Sequence, residues 1–160
     1  MRAALTLAIC SMISSTTFGN VDDIIALKKL YYSSSESKSK TEKLVECNKD
    51  ITLSSSKLLQ GYKGLSLLLT AKQSWNPVNK LSDCKKGISW LESSIAKYPN
   101  NIKLRFLRYS VQKNAPSSFL DYSYNIEHER VYINGHCQQL EDKYLKTRIS
   151  NLLALETSNN

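Results

Sequence analysis

LLQGYKGLSLLLTAKQSWNPVNKLSDCKKGISWLESSIAKYPNNIKLRFLRYSVQKNAP, residues 58–116, reads as three consecutive helices with proline-marked joints. A proline has no backbone N–H to donate and pushes the residue before it out of the helical region. Asn76-Pro77, Pro99-Asn100-Asn101 and Ala115-Pro116 are therefore boundaries. The spacing predicts helices over 57–75, 80–98 and 102–113. In the first, Leu58, Tyr62, Leu65 and Leu69 repeat at helical intervals, and Leu59, Leu67 and Leu68 widen the stripe, so this helix should be largely buried. Gly61 and Gly64 each cost about 1 kcal/mol of helix propensity against alanine. Two glycines kept in one helix point to close packing. In the second, Leu81, Cys84, Ile88, Leu91, Ile95 and Tyr98 form a three-four alternation that Ser82 or Asn79 would cap. Cys84 then falls in the core, where a free cysteine packs as a small hydrophobe. In the third, Ile102, Leu104, Phe106, Leu107, Tyr109 and Val111 leave one narrow polar stripe of Asn101, Arg105, Arg108 and Gln112.

Outward from this centre the pattern stays helical. Val21, Ile24, Ile25, Leu27, Leu30 and Tyr31 predict a helix over 21–32, capped by Asn20. A poorer helix follows over 39–48, then a polar joint at 52–56. Beyond Pro116 a loop carries Phe119, Leu120, Tyr122 and Tyr124. Helical spacing resumes at Ile126, Arg130, Val131 and Ile133, is interrupted or capped at Gly135, and returns over 138–155. No strand-like alternation is present. The expected fold is all-α, with six to seven helices in an antiparallel helical-hairpin, tetratricopeptide-like array. The single domain covers 20–156, and residues 157–160 form a frayed end.

Residues 1–19 have a separate character. Arg2, the apolar run Ala3–Ile13 and the small residues of Thr17-Phe18-Gly19 have the form of a signal peptide cleaved after Gly19. The chain is then exported, periplasmic or secreted. The apolar run is too short to cross a bilayer and no later run is longer, so no membrane span is expected. The formal charge of +8 comes from 22 basic and 14 acidic residues. The basic residues are scattered, with Lys28-Lys29 and Lys85-Lys86 the tightest pairs. Nucleic acid is not an expected partner. Of four cysteines, Cys10 leaves with the signal. Cys47, Cys84 and Cys137 allow at most one intramolecular disulfide and have no CxxC spacing.

The usual catalytic patterns are missing. His128-Glu129 opens like a zinc-protease motif, but Tyr132 stands where the second histidine belongs. His128 and His136 are separated by roughly 12 Å of helical rise, too far to share a metal on one helix. There is no glycine-rich phosphate loop and no nucleophile elbow. His136 and Cys137, being adjacent, diverge on a helix. No metal site, cofactor or catalytic set is expected.

The one constellation with binding chemistry is the stripe Arg105, Arg108 and Gln112, which shares a helix face. If alternate helices line a concave surface, Tyr62, Lys63 and Trp75 converge with it into a groove for a carboxylate or a peptide. In the alternative, the arginines hold the loop at 119–124, through Asp121 or Glu127, or simply face water. The functional expectation is a binding or scaffold protein for a protein or peptide partner. A structural envelope component or weak polyanion binder comes second, and an enzyme of unknown class third.

Gly87-x3-Leu91-x2-Ser94-x4-Pro99 resembles the second helix of a tetratricopeptide repeat, which places small, large and small residues and a terminal proline at these intervals. A longer resemblance runs from about Leu58 to Ile133. It is carried by Gly61-Tyr62-Lys63-Gly64, Ala71-Lys72, Asn76-Pro77, Lys80-Leu81, Lys86-Gly87, Arg105-Phe106-Leu107-Arg108, Gln112-x3-Pro116 and Phe119-Leu120-x-Tyr122. These residues are similar to those of a family of small exported bacterial helical proteins without an assigned activity. Asp121 stands where that family has glycine. The resemblance implies export and a helical architecture.

Overall fold

The computed structural model describes residues 21–34, 37–114 and 121–157. Seven α-helices occur among them: α1 (Val21–Ser34), α2 (Lys38–Cys47), α3 (Lys57–Gln73), α4 (Pro77–Lys97), α5 (Ile102–Asn114), α6 (Ile126–His136) and α7 (Lys143–Thr157). A single 3-10 turn, Cys137–Gln139, lies between α6 and α7. No strand is found among the described residues, so the fold is all-α. The expected signal peptide, the Asn20 cap and the positions of Phe119 and Leu120 lie outside the described residues.

Pro77 and Pro99 do mark their joints, Pro116 lying outside the described residues, but the caps differ from expectation. Asn76, not Ser82 or Asn79, caps α4: its Oδ1 accepts from the N–H groups of Val78 (2.9 Å) and Asn79 (3.4 Å). Pro77 is then the first helical residue, where its missing N–H costs nothing. The helix starts three residues earlier than the apolar stripe alone suggests. Asn101 does the same for α5, accepting from Lys103 and Leu104. Gly135 does not interrupt α6, which runs on to His136. The last helix begins at Lys143, not at 138, because Asp142 Oδ1 accepts from Leu145 N–H and fixes the start there.

α3 and α4 form an antiparallel hairpin whose contact is built from glycine. A Cβ on Gly64 would lie 2.6 Å from the Gly87 carbonyl oxygen, and a Cβ on Gly61 2.6 Å from Leu104 Cδ2. Gly64 and Gly87 let the two helices approach backbone to backbone, and Gly61 admits a Leu104 methyl of α5, the close packing that glycines kept in a helix suggest. Gly87, Leu91 and Ser94, the positions that carry the repeat resemblance, are all buried. Cys84 is a correction: it is half-buried at the edge of the stripe, whereas the buried cysteine is Cys137. The three described cysteines are free.

Two core clusters lie on either side of α5. Leu104 and Leu107 join Tyr62, Leu65, Leu91 and Ile95 of the hairpin. Phe106 and Tyr109 join Ile133, Cys137, Leu145 and Ile149 of α6 and α7. Adjacent residues of α1 reach both: Tyr31 packs edge-on against Tyr62, and Tyr32 lies against Phe106 and Tyr144. A third cluster, Leu27, Leu44, Ile51 and Leu59, fixes α1 and α2 to α3. A helix enclosed in this way leaves only Lys113 and Asn114, at its end, exposed, and it buries its arginines and Gln112 as well as its apolar residues.

Candidate functional site: an enclosed arginine network and an open groove

Arg105 and Arg108 are 6% and 8% exposed. Both reach Glu129 of α6, whose side chain is fully buried. Arg105 donates from Nε (2.8 Å) and Nη2 (3.0 Å) to the two carboxylate oxygens, a bidentate pair. Arg108 Nη2 lies 2.8 Å from Glu129 Oε1. Its Nη1 donates to Glu92 Oε2 of α4 at 2.9 Å, and the other Glu92 oxygen accepts from the Tyr122 hydroxyl. Two cations and two carboxylates thus alternate across α4, α5 and α6, which cancels the repulsion expected of neighbouring arginines.

The rest of the Arg105 guanidinium is also occupied, whereas the buried Nε of Arg108 has no hydrogen-bond partner. Arg105 Nη1 donates to the Pro99 carbonyl, and its Nη2 lies 3.0 Å from His128 Nδ1, which accepts. The guanidinium stacks 3.7 Å over the Tyr132 ring, and His136 stacks on Tyr132 at 4.1 Å. Tyr132 in turn donates to the Asn100 carbonyl. Gln112 Nε2 donates to Asn125 Oδ1 at 2.6 Å. Burial, and secondarily the bond to Glu92, pushes the Tyr122 phenol far above its ordinary value, so it stays a donor.

The expected arginine partners, Asp121 and Glu127, are not the ones used. Asp121 is exposed, and Glu127 pairs with Arg130 on the surface of α6. The partner they do use, Glu129, shares one helical stripe with Ile126, Ile133 and Cys137. A carboxylate inside an inward-facing stripe is a legible signal for a buried cation partner.

The other three residues expected in the groove do not join the arginines. Tyr62 belongs to the hairpin core on the opposite side of α5. Lys63 donates to the Ile51 carbonyl and stands 5.1 Å over Trp90. Trp75, in the joint between α3 and α4, is 93% exposed.

Trp75 lines an open groove of about 670 Å³. Its walls are α2 and the first half of α4, and its floor is the C-terminal part of α3. Gln73 Nε2 donates to Thr41 Oγ1 at 2.7 Å and ties floor to wall. The lining is hydroxyl- and amide-rich, with Thr70, Ser74, Asn79 and Ser82 beside the carboxylates Glu42, Glu46 and Asp83.

Among the described residues no group of three or more His, Cys, Asp or Glu could hold a metal ion. No described helix is long and apolar enough to cross a membrane. Compared with protein-family models, with curated proteins and with solved structures, the chain matches none.

Proposed function

We propose that this chain is an exported binding or scaffold protein that recognises a protein or peptide partner, and that recognition occurs in the groove between α2 and the α3–α4 hairpin. The observation that carries this reading is the exposure of Trp75, 93% of its surface, at a groove of about 670 Å³. An indole left in water forgoes the gain from burying its area, and tryptophan is the residue most enriched among interface hot spots. The arginine stripe does not compete for this role. Each of its cations already faces a carboxylate inside the protein, so neither is free to hold a partner's anion.

Affinity capture with the exported protein as bait tests the reading. A partner retained by the wild type should be lost with Trp75→Ala and kept with Tyr98→Ala, which removes an exposed aromatic at the opposite end of α4. Equal capture by Trp75→Ala would contradict it.

A further inference from the structure

Beside the groove lies a second apolar surface. The joint between α3 and α4 carries three exposed apolar side chains: Trp75, 93% exposed, Pro77, and Val78, 74% exposed. Pro77 and Val78 do not line the groove, and Trp75 stands where the two surfaces meet. The Asn76 cap uses only the backbone of Val78, so α4 starts without any need for that side chain. Apolar side chains left in water together, with no part in the fold, mark a contact surface.

The surroundings of the joint are basic. The bond from Gln73 to Thr41 sets the start of α2 beside the end of α3, next to the joint. Lys38 and Lys40 lie in the first turn of α2 and Lys72 in the last turn of α3, all three exposed, and Lys80 follows in α4. The first turns of α2 and α4 hold no acidic residue. Cations in the first turn of a helix oppose its dipole, so Lys38 and Lys40 do not serve α2. Glu42 and Asp83 lie further into α2 and α4, and the exposed Lys43, Lys85 and Lys86 follow them, so the charge around the joint stays positive. A tryptophan and small apolar groups flanked by lysine suit the interface of an anionic bilayer. There the indole settles among the headgroups and the lysines meet phosphate. An apolar pocket on a protein would accept the joint without them.

We infer that the α3–α4 joint is a peripheral membrane contact, with Trp75, Pro77 and Val78 entering the headgroup layer of an anionic bilayer and Lys38, Lys40 and Lys72 facing its phosphates. This inference goes beyond the reading of the groove and does not depend on it. Trp75 borders both surfaces, so the test turns on Val78.

The test is sedimentation of the exported protein with vesicles of phosphatidylcholine alone or mixed equally with phosphatidylglycerol. Binding should require phosphatidylglycerol and weaken as salt rises. Val78→Asp, and Lys38→Gln combined with Lys72→Gln, should each reduce binding by about tenfold. Leu53→Asp makes the same charge change at another exposed apolar site, 72% exposed and ahead of α3, and should bind as wild type does. Val78→Ser, which adds no charge, should also weaken binding and keeps the test decisive if Val78→Asp does not fold. Binding to neither vesicle, or equally to both, would overturn the inference. Equal losses in Val78→Asp and Leu53→Asp would overturn it in favour of diffuse attraction between a basic chain and the lipid. Loss of the captured partner in Val78→Asp with vesicle binding unchanged would overturn it in favour of a protein interface at the joint.

Discussion

Gly64 of α3 and Gly87 of α4 meet face to face: a Cβ added to either would stand 2.6 or 2.7 Å from the carbonyl oxygen of the other. Backbone cannot yield as a side-chain tip can, so Gly87→Ala must force the hairpin apart. The expected cost is about 1–3 kcal/mol, the range for overpacking. Gly135→Ala is the opposite case, because nothing lies within 4 Å of its added Cβ and its backbone is helical. It should stabilise the protein by up to about 1 kcal/mol through helix propensity. Urea denaturation of the two variants should move the midpoint in opposite directions.

Leu91 is fully buried between the hairpin and α5. Leu91→Ala should cost about 2–5 kcal/mol, as expected for emptying a core leucine site. A loss under about 1 kcal/mol in chemical denaturation would show that the cluster collapses around the gap or is not the core.

Lys28 of α1 pairs with Asp142 ahead of α7. Burial raises the Asp142 carboxyl, but the Lys28 bond, the Leu145 N–H and nearby lysine charge outweigh it and leave it below its ordinary value of 3.8. A depressed carboxyl contributes stability above its unfolded value, and this is lost as pH falls through the folded value. Asp142→Asn should therefore be less stable than wild type at neutral pH, and the gap should narrow below about pH 4. Denaturation curves at pH 7 and pH 3 check the sign; a gap that widens in acid would contradict it.

Tyr122 joins residues 121–125 to α4 through Glu92. Tyr122→Phe removes one hydrogen bond to a charged acceptor, a loss of about 1.5–3 kcal/mol. Amide exchange should quicken at 121–126 before it changes in the hairpin. Uniform acceleration would mean that this contact is part of the global core.

The helices were legible because apolar spacing and proline act locally. The joints at Asn76-Pro77 and Pro99 to Asn101 follow from residues close in sequence, and the two glycines kept within α3 announce a close contact without naming its partner, Gly87. The arginine network was not legible in the same way. Arg105 and Glu129 lie 24 residues apart, and Arg108 and Glu92 16 apart. Pairing over such distances is decided by the packing of α4 and α6 on α5. Grouping Trp75 with the arginines assumes that alternate helices share one face. α5 instead lies between the hairpin and α6–α7, so Tyr62 and the arginines occupy opposite sides of it.

The central division is that the arginine stripe holds the fold together while the Trp75 groove is left for recognition. A urea denaturation series on Glu129→Gln and Trp75→Ala tests it most directly. Glutamine in place of Glu129 leaves two buried guanidinium groups with a single carboxylate, and removing one partner of a buried ion pair costs about 3–5 kcal/mol. Trp75→Ala touches no core cluster and should stay within about 0.5 kcal/mol of wild type. Near-wild-type stability of Glu129→Gln, or a large loss in Trp75→Ala, would contradict the account.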